Sequence, residues 1–393
     1  MQPVAITHHT LTTALGAGQA ATLAALRAAR SGLAPKQFLD AGLQGWIGEV
    51  DGVDSTVLPP RLNEFDCRNN RLAWLALEQD GFIDAVNSAR ARWGAERVGV
   101  FLGTSTSGLL QTELAYRNRQ PDGSLPEGFR YAPTQNTYSV AAFATAAFEL
   151  AGPSFVVSTA CSSSAKVFGN AARMMAAGLI DAAVVGGVDS LCLTTLYGFN
   201  SLELLSSDIC RPWDAGRRGL SIGEGASFAL LERDADTPQG WLLGVGESND
   251  GHHMSTPHPE GAGAIAAMRS ALASAGLQPG DIDYINLHGT ATPSNDAAED
   301  RAVAAVFGTD TPCSSTKGAT GHTLGAAGGV EAVISLLALQ HGLMPGGLNV
   351  QTPDPELRLN YLRANREAPL RAILSNSFGF GGTNASLVLG AAT

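Results

Sequence analysis

The chain is poor in charged and in aromatic residues, which make up 16% and 6% of its 393 positions. Acidic side chains outnumber basic ones by 36 to 25. The resulting formal net charge of −11 argues against nonspecific binding to nucleic acids or to anionic membranes as the main function. An acidic partner would therefore have to meet a local basic patch. Hydrophobic residues, at 45%, nevertheless indicate a globular chain that is long enough for two packed lobes.

Cysteine is also scarce, and no two of the five cysteines form a C-x-x-C pair or stand at a spacing typical of metal ligands. We therefore expect a reducing compartment rather than a disulfide framework. The first 16 residues lack a basic segment followed by an apolar core, and we expect no apolar stretch to reach the length of a membrane span. The sequence thus predicts a soluble, cytoplasmic protein. The cysteines are Cys67, Cys161, Cys192, Cys210 and Cys313.

One of these cysteines stands where a nucleophile could act. A β-branched run over residues 155–158 ends in small residues, and an Ala-rich segment of helical period follows, so Cys161 falls on a tight strand-to-helix turn. The helix dipole and the unpaired backbone N–H groups at such a turn favour thiolate and can hold a developing oxyanion. A lone cysteine there is more typical of a buried, inert thiol, so the assignment depends on the rest of the chain.

The second half of the chain repeats the order of strands and helices predicted for the first half. In the first half, apolar positions predict one continuous helix over about residues 68–87 and another over residues 131–150. Near the C-terminus, a Gly/Ala-rich helix echoes the helix after the cysteine turn. This echo predicts a duplicated α/β lobe with mainly parallel strands in each lobe. The polar, proline-containing segment 234–240 favours a boundary that divides the chain into residues 1–236 and 237–393.

Three further motifs carry polar groups at predicted strand ends, where open α/β sheets place their sites. They are His288-Gly-Thr-Ala-Thr-Pro293, which is followed by Glu299; Lys317-Gly-Ala-Thr-Gly-His322; and Ser375-Asn-Ser-Phe-Gly-Phe-Gly-Gly-Thr-Asn384. Each motif is ambiguous alone, because a strand-end histidine is often structural and a glycine-rich turn is often only a tight connection.

The cysteine turn, the two histidine motifs and the glycine turn, in this order, resemble the β-ketoacyl-acyl carrier protein synthases. These are the elongating condensing enzymes of the thiolase fold. The resemblance runs from about residue 98 to the C-terminus. It implies an α/β thiolase fold, with duplicated α/β lobes in a five-layered αβαβα arrangement. It also implies decarboxylative Claisen condensation of an acyl thioester with malonyl-carrier protein, which extends a fatty acid or polyketide chain by two carbons.

The resemblance assigns a catalytic role to each motif. Cys161 is expected to take the acyl chain as a thioester. His288 and His322 are expected to be neutral imidazoles that donate N–H groups to the malonyl thioester oxygen and so stabilise the enolate left by decarboxylation. The backbone N–H groups of Cys161 and Phe380 would form a second oxyanion hole, and Phe380 would act as a gate.

Other residues are expected to support these groups. Lys317 would pair with Glu331 and orient His322, and Glu299 would be a supporting carboxylate. The remaining residues expected to meet the substrate or its phosphopantetheine arm are Thr290, Thr292, Ser255, Phe199 and Thr106.

The same resemblance implies the partners of the chain. One partner is an acyl carrier protein that brings malonyl and acyl thioesters. The other is a second subunit, either an identical copy or a related chain, and residues 131–138 of this chain would reach the acyl pocket of that subunit. No nucleic acid, metal or organic cofactor is expected, since the phosphopantetheine arrives on the carrier. Glu203 stands where related enzymes often carry a base for docking the carrier. The candidates for carrier docking are therefore Arg61, Arg68, Arg71 and Arg130.

Four alternatives compete with this prediction. A degradative thiolase would need a second catalytic cysteine in a C-terminal C-x-G motif, whereas the last cysteine here is Cys313. Starter-unit condensing enzymes use a Cys-His-Asn set, whereas His322 supplies a second histidine. A chain-length factor, the inactive partner of a heterodimeric synthase, would lack the reactive Cys161. A cysteine hydrolase with a Cys-His pair would release free acid instead. The sequence does not choose between housekeeping fatty-acid synthesis and a dedicated pathway such as that of an aryl polyene pigment.

Overall fold

An 11-stranded mixed sheet dominates the computed structural model, which describes residues 1–392. Ten of its strands are β1 Val4–Thr13, β2 Val98–Gly103, β3 Ser154–Val157, β4 Ala182–Asp189, β5 Gly225–Glu232, β6 Gly240–Asn249, β7 Tyr284–Asn286, β8 Cys313–Ser314, β9 Ala372–Gly379 and β10 Thr383–Ala391. These ten form one hydrogen-bonded path in the order β8-β7-β9-β10-β6-β1-β5-β4-β2-β3, and the two-residue strand Gly16–Ala17 pairs with β1.

The strand order is the same in both halves of the chain. Outward from the centre of the sheet, the first half runs β1-β5-β4-β2-β3 and the second half runs β6-β10-β9-β7-β8, so each half follows the order first, fifth, fourth, second, third. The halves join where β1 pairs antiparallel with β6, with Ala5 opposite Trp241. The predicted duplication of an α/β lobe is therefore confirmed. The predicted boundary at residues 236 and 237 falls in the connection between β5 and β6.

Parallel pairing is confined to the outer strands of each half. The parallel pairs are β2–β3, β2–β4, β7–β8 and β7–β9, and the pairs nearer the centre are antiparallel. The prediction of mainly parallel lobes is wrong for these central strands. In the second half the reason is local, because only the short turn Phe380–Gly382 joins β9 to β10, and a parallel pair needs a long crossover.

Helices cover both faces of the sheet and fill the space between its halves. Between the halves, α6 and α11 pack against each other and against strands of both. Helices α2, α3 and α5 cover the first half on the outside, and α8 covers the second with α9 against it, which gives the five layers. The helices are α1 Gly18–Arg27, α2 Arg68–Leu77, α3 Phe82–Trp93, α4 Leu109–Arg117, α5 Ser139–Phe148, α6 Ser163–Ala176, α7 Leu193–Ser201, α8 Ala262–Ala275, α9 Pro293–Phe307, α10 Lys317–Thr320 and α11 Ala327–His341.

The central helix α11 is mostly apolar and is buried on several sides. The stretch Leu324–His341 is long and apolar enough to span a membrane by length and composition, so the expectation that no stretch reaches that length is wrong. However, 89% of the stretch is buried inside the protein, as expected for a helix packed on several sides. Its composition is therefore explained by its place between the two halves.

Two predicted helices are interrupted. The helix predicted over residues 68–87 is two helices, because Asp80 and Gly81 adopt left-handed conformations with φ of 55° and 69°. The Asp80 carboxylate accepts hydrogen bonds from Thr10 and from the backbone N–H of Gln19, which fixes this break. The predicted helix 131–150 begins as the π-helical turn Tyr131–Gln135, and its α-helical part is α5.

Candidate active site

Cys161 lies on the turn between β3 and α6, as predicted. The turn depends on Ala160, which adopts the left-handed conformation with φ of 53° although it is not glycine. The Ser162 hydroxyl donates to the Thr159 carbonyl at 2.9 Å and closes the turn. Cys161 itself is only 6% exposed, so its sulfur sits at the buried end of a cavity rather than on the surface.

His322 contacts the sulfur directly. Its Nε2 lies 3.0 Å from the Cys161 Sγ. The backbone N–H of Leu324 donates to its Nδ1 at 3.2 Å, so the ring proton resides on Nε2 and points toward the sulfur. This loop is held in turn by the backbone N–H of His322, which donates to Ser221 at 2.8 Å.

His288 completes the cluster from the end of β7. Its ring centre lies 5.4 Å from that of His322, and the two planes are nearly perpendicular, at 84°. The sulfur and one ring nitrogen of each histidine all lie within 4.8 Å of one another. Residues far apart in the sequence thus converge on one point, as the motifs predicted.

Lys317 is placed differently from the prediction. Its ammonium contacts His288, not His322: it lies 3.4 Å from the His288 Nδ1 and donates to the His288 carbonyl at 2.5 Å. The predicted ion pair with Glu331 is present, and both side chains are buried. Because an ammonium only donates, it leaves the His288 proton on Nε2, as the Leu324 amide does for His322. The orienting role predicted toward His322 therefore belongs to the histidine at position 288.

Burial controls the ionisation of the cluster. It lowers the pKa of His288 and of His322 well below the usual value, and the Lys317 charge acts in the same direction, so both rings are neutral at neutral pH. Burial raises the pKa of the Cys161 thiol to about 11, against the lowering by the Lys317 charge and by a hydrogen bond from the Phe380 N–H. The helix N-terminus is expected to favour the thiolate, but burial outweighs that effect here, and the thiol predominates at neutral pH.

Glu299 supports His288 through the backbone. Its carboxylate accepts the N–H groups of His288 and Gly289, both at 2.8 Å, and burial raises its pKa to about 7. Burial likewise raises the pKa of Glu331 to about 7, against the effect of the Lys317 ammonium.

The glycine turn lies directly above the sulfur. Gly381 and Gly382 adopt left-handed conformations, with φ of 79° and 71°. A Cβ at Gly379 would lie 2.9 Å from the Thr159 carbonyl oxygen and 3.1 Å from the Cys161 nitrogen. The cysteine turn and the glycine turn are therefore packed backbone to backbone.

A narrow cavity leads from the surface to the sulfur. Phe380 packs at its side against Phe199, with ring centres 5.5 Å apart and ring planes tilted by 36°. The Thr290 and Thr292 hydroxyls lie 2.9 Å apart and line the cavity with Ser255, and their contact with a substrate arm remains a prediction. Asp250, which has no predicted role in the site, accepts a hydrogen bond from the Asn384 amide at 2.8 Å and helps to hold the glycine turn. The only feature of the sequence that could have indicated this role is the position of an acidic residue at the end of a predicted strand.

Thr106 is turned away from this cavity. Its hydroxyl donates to the buried Asp189 carboxylate at 2.7 Å, and its backbone N–H donates to the same oxygen at 2.7 Å. The side chain is 4% exposed. The hydroxyl is thus committed to Asp189, and contact of Thr106 with an acyl chain remains a prediction.

The arginines proposed for carrier docking differ in exposure. Arg68 is buried and forms ion pairs with Glu224 at 2.6 Å and Asp54 at 2.5 Å, so the docking prediction is wrong for it. Arg71 pairs with Asp66 at 2.5 Å. Of the other two, Arg61 is exposed and donates to the carbonyls of two residues at the end of α5, and Arg130 is exposed with no ion pair to any residue within 1–392.

The sulfur and the two rings also form a possible metal-ligand set, since a thiolate and two imidazoles are donors that zinc accepts. The position of Lys317 disfavours a cation here, because its ammonium already lies 3.4 Å from the His288 Nδ1.

Two family models match the chain: the N-terminal domain of β-ketoacyl synthases over residues 54–237 and their C-terminal domain over residues 240–351. The 3-oxoacyl-[acyl-carrier-protein] synthase 2 of Coxiella burnetii is 36% identical over 339 residues, which cover 79% of this chain and 82% of the relative. The chain belongs to the β-ketoacyl synthase family. Its fold is the thiolase fold, as predicted.

Two solved structures are similar over the whole chain. One is a ketosynthase (ApeO) in complex with its chain length factor (ApeC) from Xenorhabdus doucetiae, with a TM-score of 0.91 and 39% identity, covering 100% of this chain and 98% of that one. The other is the ishigamide ketosynthase/chain length factor, with a TM-score of 0.89 and 27% identity, covering 100% and 99%.

Proposed function

We propose that this chain is an elongating β-ketoacyl-acyl carrier protein synthase that joins an acyl group to a malonyl-derived two-carbon unit. The observation that carries the proposal is the convergence of the Cys161 sulfur with two neutral imidazoles, His288 and His322, within 4.8 Å at the end of one cavity. A hydrolase needs one Cys-His pair, whereas decarboxylation of a malonyl group calls for two N–H donors at one oxygen.

In the first step the acyl group moves from the carrier to Cys161. The sulfur attacks the thioester carbon, a new S–C bond forms, and the carrier thiol departs with the proton of the Cys161 thiol. The tetrahedral oxyanion would be held by the backbone N–H groups of Cys161 and Phe380. Closure of the cavity by Phe380 and Phe199 would exclude water from the acyl-enzyme.

In the second step the malonyl group loses its carboxylate. The C–C bond breaks, carbon dioxide departs, and the enolate oxygen is held by the Nε2–H groups of His288 and His322. The enolate carbon then attacks the acyl carbon and expels the Cys161 thiolate, which takes up a proton from solvent. Neutral rings suit this role, because an N–H donor stabilises the enolate without protonating its carbon.

We extend the proposal to partners and setting. The carrier protein would deliver its substrates on a phosphopantetheine arm along Thr290, Thr292 and Ser255, with no metal or organic cofactor in the reaction. Both similar structures reported above pair a ketosynthase with a chain length factor, which supports a dimer with a related chain over a dimer of identical copies. We propose a cytoplasmic enzyme of a dedicated pathway, such as that of an aryl polyene.

The test mixes the protein with malonyl-carrier protein and a panel of acyl-carrier proteins and follows intact masses. An acyl adduct on Cys161 and a carrier product longer by two carbons support the proposal. Release of free acid, with no longer product from any acyl donor, would instead indicate a hydrolase. The set should be repeated with the related chain added, because a synthase that needs its partner would be inactive alone.

Two variants test the division of labour. Cys161→Ala is expected to abolish the acyl adduct. His322→Ala is expected to retain some acyl adduct on Cys161 while losing malonyl decarboxylation by about 100-fold or more, since one oxyanion donor is removed. Release of labelled carbon dioxide measures that step. Normal condensation by the histidine variant would show that the assigned roles are wrong.

A further inference from the structure

A lysine lies directly behind the cysteine turn. Lys166 is on the first turn of α6, and its ammonium donates to the Thr383 hydroxyl. Its side chain is 15% exposed, and the Glu247 carboxylate is 4.0 Å away. A mostly buried lysine with one carboxylate at this distance is fixed chiefly by its bond to Thr383, and it is not part of the catalytic scheme described above.

The bond from Lys166 to Thr383 is the first of a series of hydrogen bonds in which each hydroxyl accepts from one neighbour and donates to the next. The Lys166 ammonium can only donate, so Thr383 accepts from it and turns its own hydrogen toward Ser162, whose oxygen is 3.2 Å away. Ser162 in turn donates to the Thr159 carbonyl at 2.9 Å. Both hydroxyl side chains are buried. The direction of the series is fixed at both ends, by the lysine, which can only donate, and by the Thr159 carbonyl, which can only accept.

The series joins the two turns that would form the oxyanion hole. Ser162 follows Cys161, and Thr383 follows the glycine turn that carries Phe380. The turns also meet at the Phe380 N–H, which forms a hydrogen bond to the Cys161 sulfur, and at Gly379, where the close backbone approach leaves no room for a side chain. These contacts limit how closely the turns approach, and side chains that tie the turns together hold them at that separation. A charged donor makes the strongest such tie.

We propose that Lys166 is a positioning residue that fixes the spacing of the oxyanion hole through Thr383 and Ser162. The inference rests on the proposed function and adds to it a residue that does not touch the substrate. Its effect falls on acyl transfer to Cys161, the step in which the tetrahedral oxyanion forms. Binding of the carrier, which takes place at the mouth of the cavity, is unaffected.

The test compares Lys166→Met, Lys166→Arg and a control, Arg173→Met. Arg173 lies on the same helix and binds the same carboxylate, Glu247, at 2.9 Å, but its side chain is 60% exposed. The measurement is single-turnover formation of the acyl-Cys161 adduct at increasing acyl-carrier concentration. Lys166→Met should lower the maximal rate about 10-fold or more at an unchanged half-saturating concentration, because a misplaced hole loses part of its stabilisation. Lys166→Arg should recover most of the rate, and Arg173→Met should match the wild type.

A double variant and a structure complete the test. Lys166→Met combined with Thr383→Val should be no slower than the slower single variant, since both interrupt one series. A crystal structure of Lys166→Met should show a changed distance between the backbone nitrogens of Cys161 and Phe380. A wild-type rate, or an unchanged distance, overturns the proposal. If the wild-type enzyme forms no acyl adduct, the proposed function fails instead, and the distance between the nitrogens still decides whether Lys166 positions the turns.

Discussion

Burial and a neighbouring charge shift the pKa of the Cys161 thiol in opposite directions. Removal from water raises its pKa to about 11, while the Lys317 ammonium and the Phe380 N–H lower it. A thiol with this pKa is almost wholly protonated at neutral pH. We therefore expect the resting thiol to react slowly with oxidants and alkylating agents at neutral pH.

The alkylation of Cys161 by iodoacetamide should therefore depend steeply on pH. The pKa is raised above the usual thiol value, so the reactive thiolate fraction is small at pH 7 and grows about tenfold per pH unit until the pH approaches 11. Lys317→Met removes the main influence that lowers this pKa and should slow alkylation further at each pH. Mass spectrometry of the Cys161 peptide gives the rates. A plateau that begins below pH 8 would contradict the raised pKa.

Single residues differ in how well the sequence predicts them. Cys161, His288 and His322 could be predicted because each lies in a local motif at a strand end. Which histidine Lys317 contacts could not be predicted, because the lysine side chain is long enough to reach either one. Only the packing of the backbone places its ammonium against His288. The burial of Arg68 was equally hidden, because Glu224, which pairs with it, is 156 residues away in the chain.

At the scale of elements, the glycine turn and the cysteine turn act as one unit. The predicted motif contains three glycines, but only the structure separates their roles. Gly379 is required for space, since a Cβ would approach two backbone atoms of the cysteine turn. Gly381 is required for conformation alone, since its φ is 79° and a Cβ there would meet nothing within 4 Å.

This difference gives a matched pair of variants. Gly379→Ala should push the turns apart by about 0.5 Å, since a Cβ would lie 2.9 Å from the Thr159 carbonyl oxygen, and should slow acyl transfer to Cys161 by about 10-fold. Gly381→Ala should cost about 1 kcal/mol of stability through its left-handed backbone and leave transfer within about threefold of the wild type. Single-turnover acylation and urea unfolding measure both effects. Equal rates for the two variants would show that the contact at Gly379 does not set the geometry of the site.

The elements that were predicted wrongly share one cause. Apolar spacing continues through residues 68–87, yet left-handed Asp80 and Gly81 break the helix, and Asp80 is held there by Thr10 and Gln19 from the start of the chain. Spacing reports which face of a helix is buried, but it does not report a tertiary contact that stops the helix. The central strands show the same limit, since their direction depends on the length of connections rather than on their composition.

At the scale of the whole molecule, a net charge of −11 leaves few places for an acidic carrier protein to dock. Burial removes Arg68 from the candidates, and Arg71 is engaged with Asp66. Arg130 is exposed and lies just before the π-helical turn that opens the segment expected at the subunit interface. Docking and folding can therefore be separated by two arginine variants.

Arg130→Glu should raise the half-saturating concentration of acyl-carrier protein by roughly 3- to 10-fold, with an unchanged maximal rate and a weaker dependence on salt. Arg68→Met should instead lower the free energy of unfolding by about 3–5 kcal/mol, because the Glu224 carboxylate would be left buried without its partner. Steady-state kinetics and urea unfolding distinguish the two outcomes. A docking defect in stable Arg68→Met protein would contradict the structural role.

The two halves have the same strand order, yet neither can bury its surface alone. Val4, Ala5 and Ile6 of the first half pair with β6 of the second, and α11, from the second half, packs against β4 and β5 of the first. Residues 1–236 and 237–393 expressed separately should therefore be insoluble or lack cooperative unfolding, whereas the full chain should unfold in one transition. Circular dichroism during heating measures this. Two resolved transitions in the full chain, or a cooperative transition in either fragment, would show that the lobes are independent domains and that the shared central helices contribute little to holding the active site together.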